Sequence, residues 1–299
     1  MKDSISKRHL TMLNTSLGEE VMALFADDDI IEIMLNPGGE LWAESLTKGK
    51  FNTQHGLTFA QAENIIKLVA AHQRAIASFD HPEVACELPG SGARFQAWLP
   101  PVVTSACFTI RKHVVRELSL DDYVKSGGLS AENAETLRTA VREKKNIIIA
   151  GGTGSGKTTI ANALLQELSN TTDRLLVLED LPELQIAAKD CVKLRTCETK
   201  TMRDLVKGVM RMRPDRIIIG EVRDGAALEL LKAWNTGHPG GLCTVHANSA
   251  EATISRLEDL IQEVVNVVPK RLLQEAIDMI VFMQRNKAGK HCVKEIKLL

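Results

Sequence analysis

The chain has 299 residues, 44% hydrophobic and 25% charged, with a formal net charge of −1. This is the make-up of a soluble globular protein of one large or two ordinary domains, and it gives no global basicity to argue for nucleic acid. The first eight residues lack the apolar core of a signal peptide, and no apolar run approaches the length of a membrane span, so any membrane role is peripheral. Residues 1–28 read as helical up to Asp27-Asp28-Asp29, and residues 30–35 as a strand. Asn36-Pro37-Gly38-Gly39 is a turn, and 40–44 returns as a second strand. Thr58 is placed to cap a helix running to about Ser78, with Ala62, Ile65, Ile66, Val69 and Ala70 on one face. Residues 87–92 form a loop, 93–99 alternate like a strand, and 107–112 make another after Pro100-Pro101. Residues 1–116 are thus an N-terminal α+β domain, and 117–129, with Ser126-Gly127-Gly128, a linker.

A helix over 130–144 leads into the short β-branched run 146–150, which reads as a buried strand. From there strands and helices alternate: strands at 175–180 and 216–221, helices at 160–168, 201–212, 226–235, 249–261 and 269–279. A closing hairpin is expected around Asn286 to Gly289. The helix over 201–212 must stop before Pro214. This alternation predicts an α/β domain over 130–299, a mainly parallel sheet with covering helices. Six cysteines, at 86, 107, 191, 197, 243 and 292, include no C-x-x-C pair and read as reduced thiols, not as disulfides or a zinc site.

The chemistry is concentrated at residues 151–159. Gly151, Gly152, Thr153, Gly154, Ser155, Gly156, Lys157, Thr158 and Thr159 contain G-x-x-x-x-G-K-T between a strand and a helix, the context a phosphate-binding loop needs. The glycines let backbone N–H groups form a nest, the helix start adds positive potential, Lys157 reaches the β/γ-phosphates and Thr158 ligates Mg²⁺. ATP and Mg²⁺ are the implied ligands. Hydrolysis also needs a carboxylate. Glu221 ends the run Ile217-Ile218-Ile219-Gly220 at the carboxyl edge of a strand, a Walker-B pattern beside the P-loop. Glu179-Asp180 occupies a similar place on another strand, with Glu183 one short turn later, and a solvated capping group is the alternative there. His246 follows a Gly-rich turn and a short strand. Its spacing leaves a structural role and a γ-phosphate contact both open.

Four ordered boxes now carry a resemblance: the P-loop, Leu178-Glu179-Asp180 with Glu183-Leu184, residues 211–224 around Glu221, and residues 236–249 around His246. Together they resemble the Walker A, Asp box, Walker B and His box of the type II/IV secretion ATPase superfamily, and within it the conjugative-transfer branch. The paired C-x-x-C motifs of the type II members are absent from this sequence. The resemblance implies a RecA-like P-loop domain behind a smaller, PAS-like domain, and a homo-hexamer at the cytoplasmic face of the inner membrane, working with membrane components of a secretion apparatus. It implies that Glu221 is the catalytic carboxylate, that Glu179 supports Mg²⁺ or water, that His246 senses the γ-phosphate, and that Arg94 and Arg111 reach that phosphate from the N-terminal domain. Without the resemblance both arginines read as solvated strand charges.

The reading is an ATPase motor of a conjugative type IV secretion system. A type IV pilus motor is the rival within the class. A nucleic-acid translocase is disfavoured because 4% aromatic content and a net charge of −1 supply neither stacking platforms nor a basic groove. A small-molecule P-loop kinase is disfavoured by the His box and the N-terminal domain.

Overall fold

The computed structural model describes residues 2–73, 75–112, 118–197, 199–286 and 289–299. The chain divides into two compact units between Val114 and Val115.

The first unit begins with α1 (Lys2–Ala26), interrupted at Gly18, whose φ of 79° lies in the left-handed region that glycine tolerates. Six antiparallel strands follow: β1 (Ile30–Leu35), β2 (Glu40–Ser45), β3 (Gly49–Gly56), β4 (Glu83–Glu87), β5 (Arg94–Trp98) and β6 (Cys107–Arg111), ordered β3-β2-β1-β6-β5-β4. Their alternation drives Ile33, Leu35, Ala43, Phe95, Ala97, Phe108 and Ile110 into one core. α2 (Phe59–His72) contributes Ala62, Ile65, Ile66, Val69 and Ala70 to that core, and Thr58 and Gln61 form its capping box. α2 ends at His72, six residues short of the expected Ser78. The opposite face of the sheet carries a charged row, in which Glu87 pairs with Arg94, Arg94 with Arg111, and Arg111 with Glu32.

The second unit holds α3 (Leu120–Lys125), α4 (Ala131–Arg142), β7 (Ile147–Gly151), α5 (Lys157–Gln166), β8 (Leu175–Glu179), β9 (Cys191–Arg195), α6 (Met202–Val209), β10 (Arg216–Ile219) and α7 (Ala226–Asn235). β11 (Leu242–Val245), α8 (Ala250–Gln262), α9 (Lys270–Ala276), β12 (Met279–Arg285) and β13 (His291–Leu298) complete it. The sheet order is β13-β12-β7-β11-β10-β8-β9, parallel except for β13. Both faces are covered. Ile148, Leu176, Leu178, Ile217 and Ile219 pack towards α6 to α9. Ile147, Ile149, Leu175, Val177 and Ile218 pack towards α3, α4 and α5. Strands buried on both sides are continuously apolar, which is why β7, β8 and β10 are readable as runs.

The expected linker 117–129 differs from this. Residues 113–117 lie outside the described residues, but Ser119 and Asp122 form a capping box on α3, and Leu120 and Tyr123 are buried in the second unit's core. Lys287 and Ala288 of the expected closing turn also lie outside the described residues, while the flanking Asn286 N–H donates to Lys290 O at 2.8 Å.

Candidate nucleotide site

The P-loop leaves the end of β7 and turns into α5 at Gly156, whose φ of 92° is left-handed. No side chain caps this helix start, whereas Thr58, Ser119, Ser130, Thr201 and Ser249 cap five other helices. Its orphan N–H groups are thus available to an anion, and they fit a phosphate. Lys157 is 8% exposed. Its ammonium donates to Gly151 O and Gly152 O, both at 3.1 Å, and to His246 Nδ1 at 3.3 Å. The loop therefore folds around its own lysine through the groups that phosphate oxygens would replace. Ser155 is buried, and its hydroxyl makes no hydrogen bond among the described residues. Thr153 is exposed, and Thr159 sits half-buried in the first turn of α5.

Glu221 does not lie on the strand next to the P-loop strand. β11 separates β7 from β10, and at its end it sets His246 between Lys157 and Glu221. An ammonium can only donate, so His246 Nδ1 is the acceptor and the ring's proton is on Nε2. Nε2 lies 3.0 Å from Glu221 Oε1 but outside hydrogen-bond alignment, and the two pair as ions only once the ring is protonated. Burial and then the Lys157 charge push the imidazole below its ordinary value. Glu221 pulls the other way and loses. Arg223 Nη2 donates to Glu221 Oε2 at 2.7 Å. Burial alone would raise the Glu221 carboxyl. The Arg223 hydrogen bond and charge, with His246 and Lys157, outweigh it and hold the group low and ionised. Asp180 stands 3.9 Å beyond, on Arg223 Nη1. Thr244 on β11 donates its hydroxyl to Gly220 O at 2.7 Å and so fixes the backbone just before Glu221.

The two glutamates after β8 have different surroundings. Glu179 is 4% exposed, and its Oε1 accepts the backbone N–H of Glu183 at 2.8 Å and of Leu184 at 2.7 Å. Burial raises its carboxyl despite those two bonds. Glu183 is the carboxylate brought to the P-loop: Thr158 Oγ1 donates to its Oε2 at 3.3 Å. Asn162 on α5 clamps this loop from below, donating to Glu183 O at 3.2 Å and accepting from Gln185 N–H at 2.9 Å. A hydroxyl and a carboxylate side by side are the hard oxygen donors Mg²⁺ takes, together with phosphate and water. Thr158 and Glu183 fit that ion. Glu179, expected among its ligands, is engaged with the loop backbone through Oε1.

The structure thus gathers Lys157, His246, Glu221 and Arg223 in one series, and Thr158 with Glu183 beside it. Arg94 and Arg111 belong to the first unit, as cross-strand partners on the charged face of its sheet. Asn162 and Arg223 are not among the expected site residues, and Glu183 enters the expectation only as part of the acidic cluster after β8 and of the second box, with no role of its own.

Comparison with known proteins gives the family. Residues 78–296 match the family described as Type II/IV secretion system protein. The chain is 45% identical to the conjugal transfer protein TrbB of Rhizobium radiobacter over 291 residues, 97% of this chain and 90% of that one. It is similar to the VirB11 ATPase of the Brucella suis type IV secretion system, solved with sulphate, at 25% identity and a TM-score of 0.53, covering 99% of this chain and 96% of that one. The pilus retraction motor PilT with bound ADP shares the fold, at 20% identity and a TM-score of 0.66 over 93% of this chain and 82% of that one. The chain belongs to the type II/IV secretion system protein family.

Proposed function

We propose that this chain is an ATPase that energises a conjugative type IV secretion system, acting as a homo-hexameric, RecA-like ring held peripherally at the cytoplasmic face of the inner membrane. The observation that carries the enzymatic part is the convergence of Lys157, His246 and Glu221: the imidazole accepts from the phosphate-binding ammonium through Nδ1 and stands with Nε2 3.0 Å from the ionised carboxylate. The 45% identity to TrbB over 97% of the chain supports the conjugative role.

ATP is the substrate, held by the backbone N–H groups of residues 152–159. Lys157 exchanges the Gly151 and Gly152 carbonyls for the anionic β/γ-phosphate oxygens, a stronger, charge-assisted contact. His246 then loses its lysine partner, and with the ring proton moved from Nε2 to Nδ1 it donates to the γ-phosphate, which couples the state of the P-loop to Glu221. Glu221 takes the proton of the attacking water as general base. Thr158 and Glu183 would hold Mg²⁺, with Glu179 fixing the loop that carries Glu183. When bound, Mg²⁺ neutralises charge developing on the phosphates. Arg94 and Arg111 are the arginines that would stabilise that charge from the first unit. Low aromatic content and a near-neutral net charge speak against direct nucleic-acid binding.

Lys157→Ala tests the reading. ATP hydrolysis is expected to fall to background with melting unchanged, and DNA transfer to fail in a host complemented with the variant. Retained turnover would discard the P-loop assignment. Deleting the gene and scoring DNA transfer separately from pilus formation distinguishes this role from that of a pilus motor.

A further inference from the structure

The P-loop rests on the terminal hairpin. β12 runs parallel to β7, pairing Phe282 with Ala150 and Met283 with Gly151, and ends at Arg285. Arg285 Nε donates to Gly154 O at 2.9 Å. A trans peptide points its C=O and N–H in opposite directions. Holding Gly154 O towards the hairpin therefore turns Ser155 N–H into the loop, where it meets Gly152 O at 3.3 Å. Gly154 has a φ of +66°, and a Cβ there would come within 3.3 Å of Arg285 Nη2. On the next strand, the His291 ring lies against Gly156, where a Cβ would fall 2.9 Å from its Cγ. A Cβ on Gly151 would meet Met283 O at 2.5 Å. Each of these three glycines thus lies against one residue of a hairpin some 130 positions downstream. β13 also donates Val293 N–H to Gly128 O at 2.8 Å, so the segment leading into α4 is fastened to the same support.

The phosphate ligands of a P-loop are backbone N–H groups, and the bonds made by the carbonyls on the other side of each peptide set their direction. A glycine at +66° has little intrinsic preference to keep its peptide in one orientation. We propose that the β12–β13 hairpin presets the phosphate-binding loop, with Arg285 and His291 as positioning residues. Arg285 locks the Gly154–Ser155 peptide with its N–H inward, and His291 holds Gly156 at the start of α5. This rests on the reading of residues 151–159 as the nucleotide site. Because Arg285 acts on the Gly154–Ser155 peptide and on no reacting group, its contribution is to binding, alike for ATP and ADP, and not to the chemical step.

The experiment measures binding of fluorescent ATP and ADP analogues to the full chain, together with KM, kcat and melting temperature. The variants are Arg285→Ala, Arg285→Lys, His291→Ala and, as a control, Lys157→Ala. Arg285→Ala is expected to weaken both nucleotides by roughly tenfold, the worth of one hydrogen bond from a charged donor. KM should rise by the same factor while kcat at saturation and melting hold. Arg285→Lys, which keeps a donor, should recover part of the affinity, and His291→Ala should weaken the same two ligands. Wild-type protein that fails to bind, or a Lys157→Ala control that binds as well as wild type, would overturn the nucleotide reading itself. With wild-type binding intact, three results would overturn the hairpin's role alone: equal affinities in wild type and Arg285→Ala, a loss confined to kcat, or Arg285→Lys no better than Arg285→Ala.

Discussion

Glu179 Oε1 accepts the backbone N–H of Glu183 at 2.8 Å, so one glutamate holds the loop that presents the other to Thr158. The two should respond differently to substitution. Glu183→Gln is expected to lower turnover and raise the Mg²⁺ concentration needed for half-maximal rate, with melting unchanged. Glu179→Ala leaves the half-buried Glu183 N–H and the buried Leu184 N–H without this acceptor, at about 1–3 kcal/mol for the buried group, and should lower the melting temperature. A Mg²⁺ titration of turnover beside thermal melting separates the two. If Glu179→Gln melts like wild type yet loses more turnover than Glu183→Gln, the assignments are exchanged.

Glu221 and Arg223 form a pair in which the arginine keeps the carboxylate ionised and engaged. Glu221→Gln keeps the shape but removes the charge. Turnover should fall by about a hundredfold or more while ATP binding stays near normal. Arg223→Ala removes the foremost of the influences that lower the Glu221 carboxyl, so the acid limb of turnover due to that carboxyl should move to higher pH. An unmoved limb in Arg223→Ala would show that this pairing does not control Glu221.

His246 makes turnover sensitive to pH in a calculable direction. Its imidazole is held below the ordinary 6.5, so it is neutral at neutral pH and takes a second proton only on acidification. Once Nδ1 is protonated it cannot accept from Lys157, and a cation then faces a cation. Because the folded-state value is depressed, the associated stability is present above 6.5 and is lost as pH falls through the lower folded value. Glu221 stays ionised across this range, its carboxyl lying below the ordinary 4.5. Wild-type turnover should therefore show an acid limb below 6.5. His246→Gln keeps an acceptor that does not titrate, and its lower turnover should be flat between about pH 5 and pH 7. A limb that persists unchanged in the variant would assign it to another group.

What the sequence revealed divides along burial. β7, β8 and β10 carry continuous apolar runs, with charge only at Glu179 and Arg216 at their ends, because helices cover both faces of the sheet, and the G-x-x-x-x-G-K-T between β7 and α5 is a local pattern. β3, β4 and β9 escape notice because they are edge strands, half in solvent: β3 is polar at most positions, and β4 and β9 are short, with charged residues breaking the apolar run. The placement of His246 between Lys157 and Glu221 depends on β11 inserting between β7 and β10, and strand order is not written in spacing. Nor is the division between Glu179 and Glu183, which depends on where the backbone turns after Asp180. Residues 118–129 misled because Ser126-Gly127-Gly128 suggests flexibility, while Leu120, fully buried, anchors α3 in the core. Leu120→Ala should accordingly cost about 2–5 kcal/mol of stability, a loss no true linker residue would show in chemical unfolding.

Arg94 and Arg111 are directly opposed across β5 and β6, flanked by Glu87 and Glu32 in the same row. Two like charges facing each other across strands oppose folding, and the glutamates opposite each arginine offset that repulsion. Arg111 is exposed at the end of β6, so Arg111→Ala should change melting little. If Arg111 meets the γ-phosphate, its loss should reduce turnover by about 10³, the worth of an arginine finger, and weaken ATP binding far less. Arg94→Ala should act in the same direction to a lesser degree. Mixing variants locates the action. A Lys157→Ala chain is inactive but keeps Arg111, so it can restore an Arg111→Ala chain only if the arginine serves a neighbouring copy. Recovery on mixing would place the finger in trans, and no recovery would place it in cis. Removing residues 1–114 gives the decisive control, because the second unit retains the whole series from Lys157 to Arg223. If that fragment folds and hydrolyses ATP as fast as the full chain, neither arginine acts on the phosphate.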